Sequence, residues 1–153
     1  MNEISQADLD AIVASHILWL GQVHGGQHAN LRRLNLSGMD LEGAMLMSAS
    51  LAGANLTKAC LGGAHLEEAS LDGACLYGAN LDEANLRGAD LTNADLDGAV
   101  LIDADLTGAI LTGASFAGAT FQNTLLPEGM VSVTRTVTRA ERAEVEDVKG
   151  EEG

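Results

Sequence analysis

The chain has 153 residues, enough for one domain, and aromatic residues make up only 3% of it. A core of mixed large side chains is therefore excluded, and small residues must fill the interior. The formal charge of −14 argues against direct nucleic-acid binding, which needs clustered Lys and Arg, and suits a surface that keeps copies apart or meets a basic partner.

The first predicted element is a helix opened by Ser5. Ser5 and Asp8 have capping-box spacing with Asp in the Glu position, and Ile4 with Leu9 has staple spacing. Leu9, Ile12, Val13, His16, Ile17 and Leu20 then recur on one face, and Gly21 is a natural stop. Residues 1–28 are expected to form a capping helix and a connector. The connector, Gln22 to His28, is polar and glycine-rich. His24 and His28 stand four apart, as a helical metal pair would, but Gly25 and Gly26 lie between them and no acid or cysteine is near. A solvated loop is expected, with no metal.

The next hundred residues repeat. Leucine falls at Leu31, Leu36, Leu41 and every fifth residue to Leu111, and Phe116, Phe121 and Leu126 finish the series. Two residues before nearly every one stands alanine, from Ala44 to Ala119. A period of five smears around a helix and flips faces along a flat strand, so only a chain that turns a corner each repeat can bury every leucine. Taking the Leu or Phe as position 0, positions −2 and 0 point inward, glycine recurs at the corner position +2, and positions −1 and +1 carry polar side chains to water.

Units such as Ala54-Asn55-Leu56, Ala79-Asn80-Leu81 and Ala89-Asp90-Leu91 resemble those of the pentapeptide-repeat family. The resemblance implies an all-β solenoid, a right-handed quadrilateral β-helix with four repeats per coil. The array then makes about five coils, 29–48, 49–68, 69–88, 89–108 and 109–128, within a domain 29–128. His16-Ile17-Leu18-Trp19-Leu20 is likewise similar to a leader found before many such arrays.

In the first coil Leu34 and Met39 replace the inward alanine, which suggests a wider layer in contact with the helix, and Met45 and Met47 are expected beneath it. Cys60 and Cys75 fall at outward positions without metal spacing and read as free thiols. Acid collects later, at Asp82, Glu83, Asp90, Asp95, Asp97, Asp103 and Asp105, with Arg87 the one cation among them. By phase these residues circle the rod as a band. Val100 and Ile102 flank one leucine on a single face and form a candidate apolar interface. Pro127 breaks the rhythm, and 129–153 is expected to hold a closing strand and a polar tail.

No nucleophile with an oriented base and no phosphate loop is evident, so neither an enzyme nor a cofactor is expected; His65 with Glu67 two residues on is the nearest approach. Reduced thiols and the lack of a signal-peptide pattern or an apolar span point to the cytoplasm, with no membrane partner. The expected function is a rigid, non-enzymatic interaction scaffold whose partner is an unidentified protein or further copies of itself. The interaction candidates are Val100, Ile102, Asp90, Asp95, Asp97 and Asp105. The resemblance supplies an alternative, because some family members imitate a B-form duplex, bind DNA gyrase or topoisomerase and protect it from quinolones.

Overall fold

The computed structural model describes residues 2–128 and the backbone of Thr136–Val137. Four short strands and one helix have regular geometry: β1 (Asn2–Glu3), α1 (Gln6–Leu20), β2 (Leu34–Asn35), β3 (Ala119–Thr120) and β4 (Thr136–Val137). The rest of the order is a solenoid wall. Parallel bridges link residues 20 apart without interruption, from Asn30 with Ser50 to Asp105 with Leu125. Twenty residues per coil are four repeats, so the rod has four sides, here faces 1 to 4 in chain order, each carrying one central residue per coil.

Each coil pairs with the next through a fixed set of backbone bonds. The Leu31 N–H donates to the Ser50 carbonyl, Arg33 N–H to the Ala52 carbonyl, and Ser50 N–H back to the Ala29 carbonyl, at 2.7, 3.1 and 3.0 Å. The corner is closed within the repeat, as where Ala54 N–H donates to the Leu51 carbonyl at 3.0 Å and Gly53 takes φ +66°. Positive φ at the third residue alone defines a type II turn. The strain falls on non-glycine corners: Arg33, Ser48, Lys58, Glu68, Glu83, Asn93, Asp103 and Asn123 all adopt φ between 53° and 60°. Glycine is thus favoured at +2, and the ladder imposes the same dihedral on whatever residue stands there.

Inside, the alanine and leucine columns are sealed from solvent. Leu36, Leu46 and Leu51 through Leu106 are completely buried, and Phe116 and Phe121 finish the column with rings 5.6 Å apart. Each buried leucine contributes about 1.5–3 kcal/mol, while alanine leaves room for the neighbouring column. Thr124 takes the inward position after Ala119 and satisfies its hydroxyl by donating to the Leu101 carbonyl at 2.6 Å.

The N-terminal segment lies on the first coil, and each of three faces is met by a different chemistry. On face 2, β1 pairs in parallel with β2. On face 3 the Gln6 carboxamide reproduces a strand edge, donating to the Asp40 carbonyl at 2.8 Å and accepting from the Asp40 N–H at 3.0 Å. On face 4 the Met47 carbonyl accepts from His16 Nε2 at 2.8 Å. Leu9 is fully buried, and Ile4, Ile12, Val13, Leu34 and Met39 pack against the core around it. At the other end β4 pairs antiparallel with β3.

α1 begins with the expected capping box, Ser5 Oγ accepting from Asp8 N–H and Asp8 Oδ2 accepting from Ser5 N–H. The helix stops at Gly21 as expected, with its left-handed residue one position further on. Gly21 sits at φ −80°, and the left-handed residue is Gln22 at φ 55°, with Val23 N–H reaching the Leu18 carbonyl at 2.8 Å. This is a Schellman closure carried by a glutamine. Ile17, expected on the buried stripe, is 46% exposed. The connector is also more ordered than a solvated loop. A Cβ on Gly26 would lie 2.3 Å from the Trp19 nitrogen, and His28 packs edge-on to Trp19 at 4.8 Å while donating to the Ser48 carbonyl.

Candidate interaction surface

The wall leaves one backbone N–H per repeat without a ladder partner, that of position +1. The side chain at −1 supplies an acceptor wherever it is Asn or Asp. Thr57 N–H donates to Asn55 Oδ1 at 3.1 Å, Asp82 N–H to Asn80 Oδ1 at 2.9 Å, and Arg87 N–H to Asn85 Oδ1 at 3.2 Å. These Asx turns explain the Ala-Asn/Asp-Leu signature as backbone satisfaction.

The same geometry holds three of the four candidate acids, all of them in coil 4. Asp90 Oδ1 on face 1 accepts from the Thr92 N–H and hydroxyl at 3.0 and 2.6 Å. Asp95 Oδ1 on face 2 accepts from Asp97 N–H at 3.0 Å, and Asp105 Oδ1 on face 4 accepts from Thr107 N–H at 2.9 Å. Burial alone would raise the Asp105 pKa, but hydrogen bonds from Thr107 and the Arg87 guanidinium, 3.2 Å away, outweigh it and hold the pKa below the ordinary carboxylate value. Asp97 stands at +1 and reaches up one coil, accepting from Ala117 N–H at 2.7 Å and from the Ser115 hydroxyl. It serves the N–H that Ser115 leaves unserved. Asp95 and Asp97 share face 2, Asp90 and Asp105 lie on faces 1 and 4, and none of the four is on face 3.

Val100 and Ile102 occupy face 3 of coil 4, both half-buried. Bridges from Val100 to Asn80 and to Thr120 set them in the middle of that face. In the preceding coils the same face carries an open depression of about 720 Å³. Gly62 has no side chain to fill position +1 there, and Asp40, Glu42, Asp82 and Glu83 surround it with Cys60 and Asn80. One carboxylate oxygen of Asp82 is buried without a hydrogen-bond partner. Face 3 therefore runs from an acidic hollow to an apolar pair. The apolar pair was legible from phase; the hollow was not, because its signal is a single glycine displaced from the corner column.

Other groups remain separate. His65 Nδ1 lies 3.3 Å from Glu67 Oε1, and that oxygen also accepts from Asn85 Nδ2 at 2.7 Å. Cys60 and Cys75 are free thiols. Ile17, Leu18, Trp19 and Val23 make an exposed apolar patch at the end of α1 that the helical reading missed. Four consecutive apolar residues, Ile17 to Leu20, were the available signal, since one helical face accommodates only some of them. Among the described residues no three His, Cys, Asp or Glu side chains are placed to hold a metal ion, and no helix is long and apolar enough to cross a membrane.

The ladder and sealed core define a four-sided solenoid repeat protein. Pentapeptide repeats match in 8 copies over residues 27–63, 49–88 and 89–126, and the chain belongs to this pentapeptide-repeat family, whose members form right-handed quadrilateral β-helices. It is similar to the crystal structure of a pentapeptide repeat protein from the cyanobacterium Cyanothece 51142, with 41% identity, 63% of each chain covered and a TM-score of 0.56. The chain thus spans less than two-thirds of that relative's length. A pentapeptide repeat protein from the Arabidopsis thaliana thylakoid lumen is 27% identical over 80% of this chain and 77% of its own, with a TM-score of 0.42. QnrB1, a plasmid-mediated fluoroquinolone resistance protein, is 19% identical over 72% of this chain and 74% of its own at a TM-score of 0.41, a likeness of fold alone. No curated protein matches the sequence.

Proposed function

We propose that this protein is a non-enzymatic, cytoplasmic interaction module that docks a partner protein on face 3. The observation that carries the reading is the succession on one flat face of an acidic hollow at Asp40, Glu42, Asp82 and Glu83 and an apolar pair at Val100 and Ile102. A partner segment with a basic side chain followed by an apolar one matches both. The basic group would pair with the carboxylates around the hollow, and the apolar group would cover the half-buried pair. The parallel wall supports such docking by holding the face rigid, so that little ordering entropy is lost on binding. The N-terminal segment serves as the cap of the first coil.

The duplex-mimic reading has the overall charge of −14 in its favour. Against it, the coil 4 acids are spread over faces 1, 2 and 4 of a single coil and three of them serve local turns, whereas a duplex presents phosphates in two continuous tracks. The test compares capture of proteins from the source cell by three forms of the full chain. The partner held by the wild type should be lost with Val100→Lys plus Ile102→Lys and retained with Asp90, Asp95, Asp97 and Asp105 all changed to Asn. Micromolar protein should leave gyrase supercoiling untouched. Inhibition of gyrase that disappears in the Asn form would establish the mimic and sink the scaffold.

A further inference from the structure

His16 is the one ionisable side chain among the described residues with no exposed surface. Its two ring nitrogens are both engaged, in opposite senses. Nδ1 accepts from the Ala29 N–H at 3.0 Å, and Nε2 faces the Met47 carbonyl at 2.8 Å. An N–H can only donate and a carbonyl can only accept, so the ring is the neutral tautomer with its proton on Nε2. In that form it bridges α1 to Ala29 at the start of the first coil and to Met47 near its close. A second proton would set an Nδ1–H against the Ala29 N–H, two donors face to face and shut off from water.

No carboxylate lies against the ring to offset that charge, and the Met47 carbonyl, which favours it, already accepts from the neutral form. From α1 itself Trp19 stacks on the ring at 5.3 Å, and from the connector His28 stands edge-on at 5.4 Å, where charge on both imidazoles would repel. The first coil contributes the Met47 carbonyl, and no carboxylate is among these contacts.

We propose that His16 is an acid-sensitive latch: its protonation releases α1 from the first coil and uncovers the edge groups that Gln6 and His16 satisfy when the helix is down. Burial lowers the proton affinity of the docked ring below the ordinary histidine value of 6.5, His28 lowers it further, and the Met47 bond opposes both. A depressed pKa in the closed state fixes the sign. The latch is fully held above about pH 6.5 and weakens as pH falls, because the released form takes the proton first. Opening rises by about tenfold per pH unit until the closed form also titrates.

Trp19, the single tryptophan, reports directly because it stacks on the ring. On the full chain, amide exchange at Ala29 and Asp40, Trp19 emission and the His16 ring resonances would be followed from pH 7.5 to 4.5. Protection at Ala29 and Asp40 should fall by up to about tenfold per unit below pH 6.5, with the wall amide of Leu76 unchanged. Trp19 emission should change over the same range, and the ring should titrate below 6.5. His16→Gln should abolish the pH dependence whether its helix docks or not, and His28→Gln should retain it. A ring that titrates at or above 6.5, flat protection at Ala29, or loss of Leu76 protection in parallel would overturn the latch. So would a transition that survives His16→Gln.

Discussion

The Asx turns predict that the acids of coil 4 hold the wall together through an acceptor atom more than through charge. Two quadruple variants separate these roles, Asp90, Asp95, Asp97 and Asp105 all to Asn and the same four all to Ala. Each takes the 22 acidic residues to 18 against 8 basic ones, so both carry −10 in place of −14. The Asn form keeps an Oδ1 within reach of the N–H groups of Thr92, Asp97, Ala117 and Thr107, which now lie 2.7–3.0 Å from their acceptors. It loses the ion pair with Arg87, a side chain 56% exposed, at a cost of about 0–1 kcal/mol. The Ala form leaves four backbone donors without protein acceptors. At about 0.5–1.5 kcal/mol each, it should be less stable than the Asn form by about 2–6 kcal/mol. In urea, with a slope of about 2 kcal/mol per molar, that is a midpoint shift of about 1–3 M. Equal midpoints for the two forms would refute the reasoning and return the carboxylates to a purely electrostatic role.

Ala74 is 1% exposed, so Ala74→Leu should destabilise by about 1–3 kcal/mol, whereas outward Asp72→Ala in the same coil should cost less than about 0.5 kcal/mol; equal losses on denaturant titration would invert inside and outside. Gly26→Ala places a methyl against the Trp19 backbone and should cost about 1–3 kcal/mol, read by Trp19 emission in urea, because backbone on both sides must move. Deleting residues 1–21 should produce association with little loss of β-structure, detected by light scattering and circular dichroism; a monomer with an unchanged melting temperature would assign α1 another purpose.

The coil was legible because its constraint recurs. A five-residue period that must bury Leu46, Leu51 and Leu56 on one axis admits few paths, and each further repeat adds the same vote. The docking of α1 was only half legible. The phase of Leu9, Ile12 and Val13 marked a buried stripe, but nothing periodic says that Gln6 matches the Asp40 edge or that His16 meets both Ala29 and Met47. Those contacts are between parts of the chain that occur once. Phase also identified Val100 and Ile102, while the hollow beside them depends on Gly62 being small where its column elsewhere carries Glu42, Asp82 and Ile102. At the corners, glycine marked the turn, yet Lys58 and Glu68 adopt the same positive φ because their neighbours above and below are already fixed.

The uniform 20-residue spacing of the bridges also governs how the rod is made. A chain leaving the ribosome needs only one further coil of length before each new segment can pair, so no segment waits for a distant partner. β1 and α1 emerge before the coils and offer an ordered edge, on which the first coil can be laid as soon as it appears. Assembly can then run from the N-terminus at the pace of synthesis, each coil templating its successor, with the loop-closure cost nearly constant from step to step.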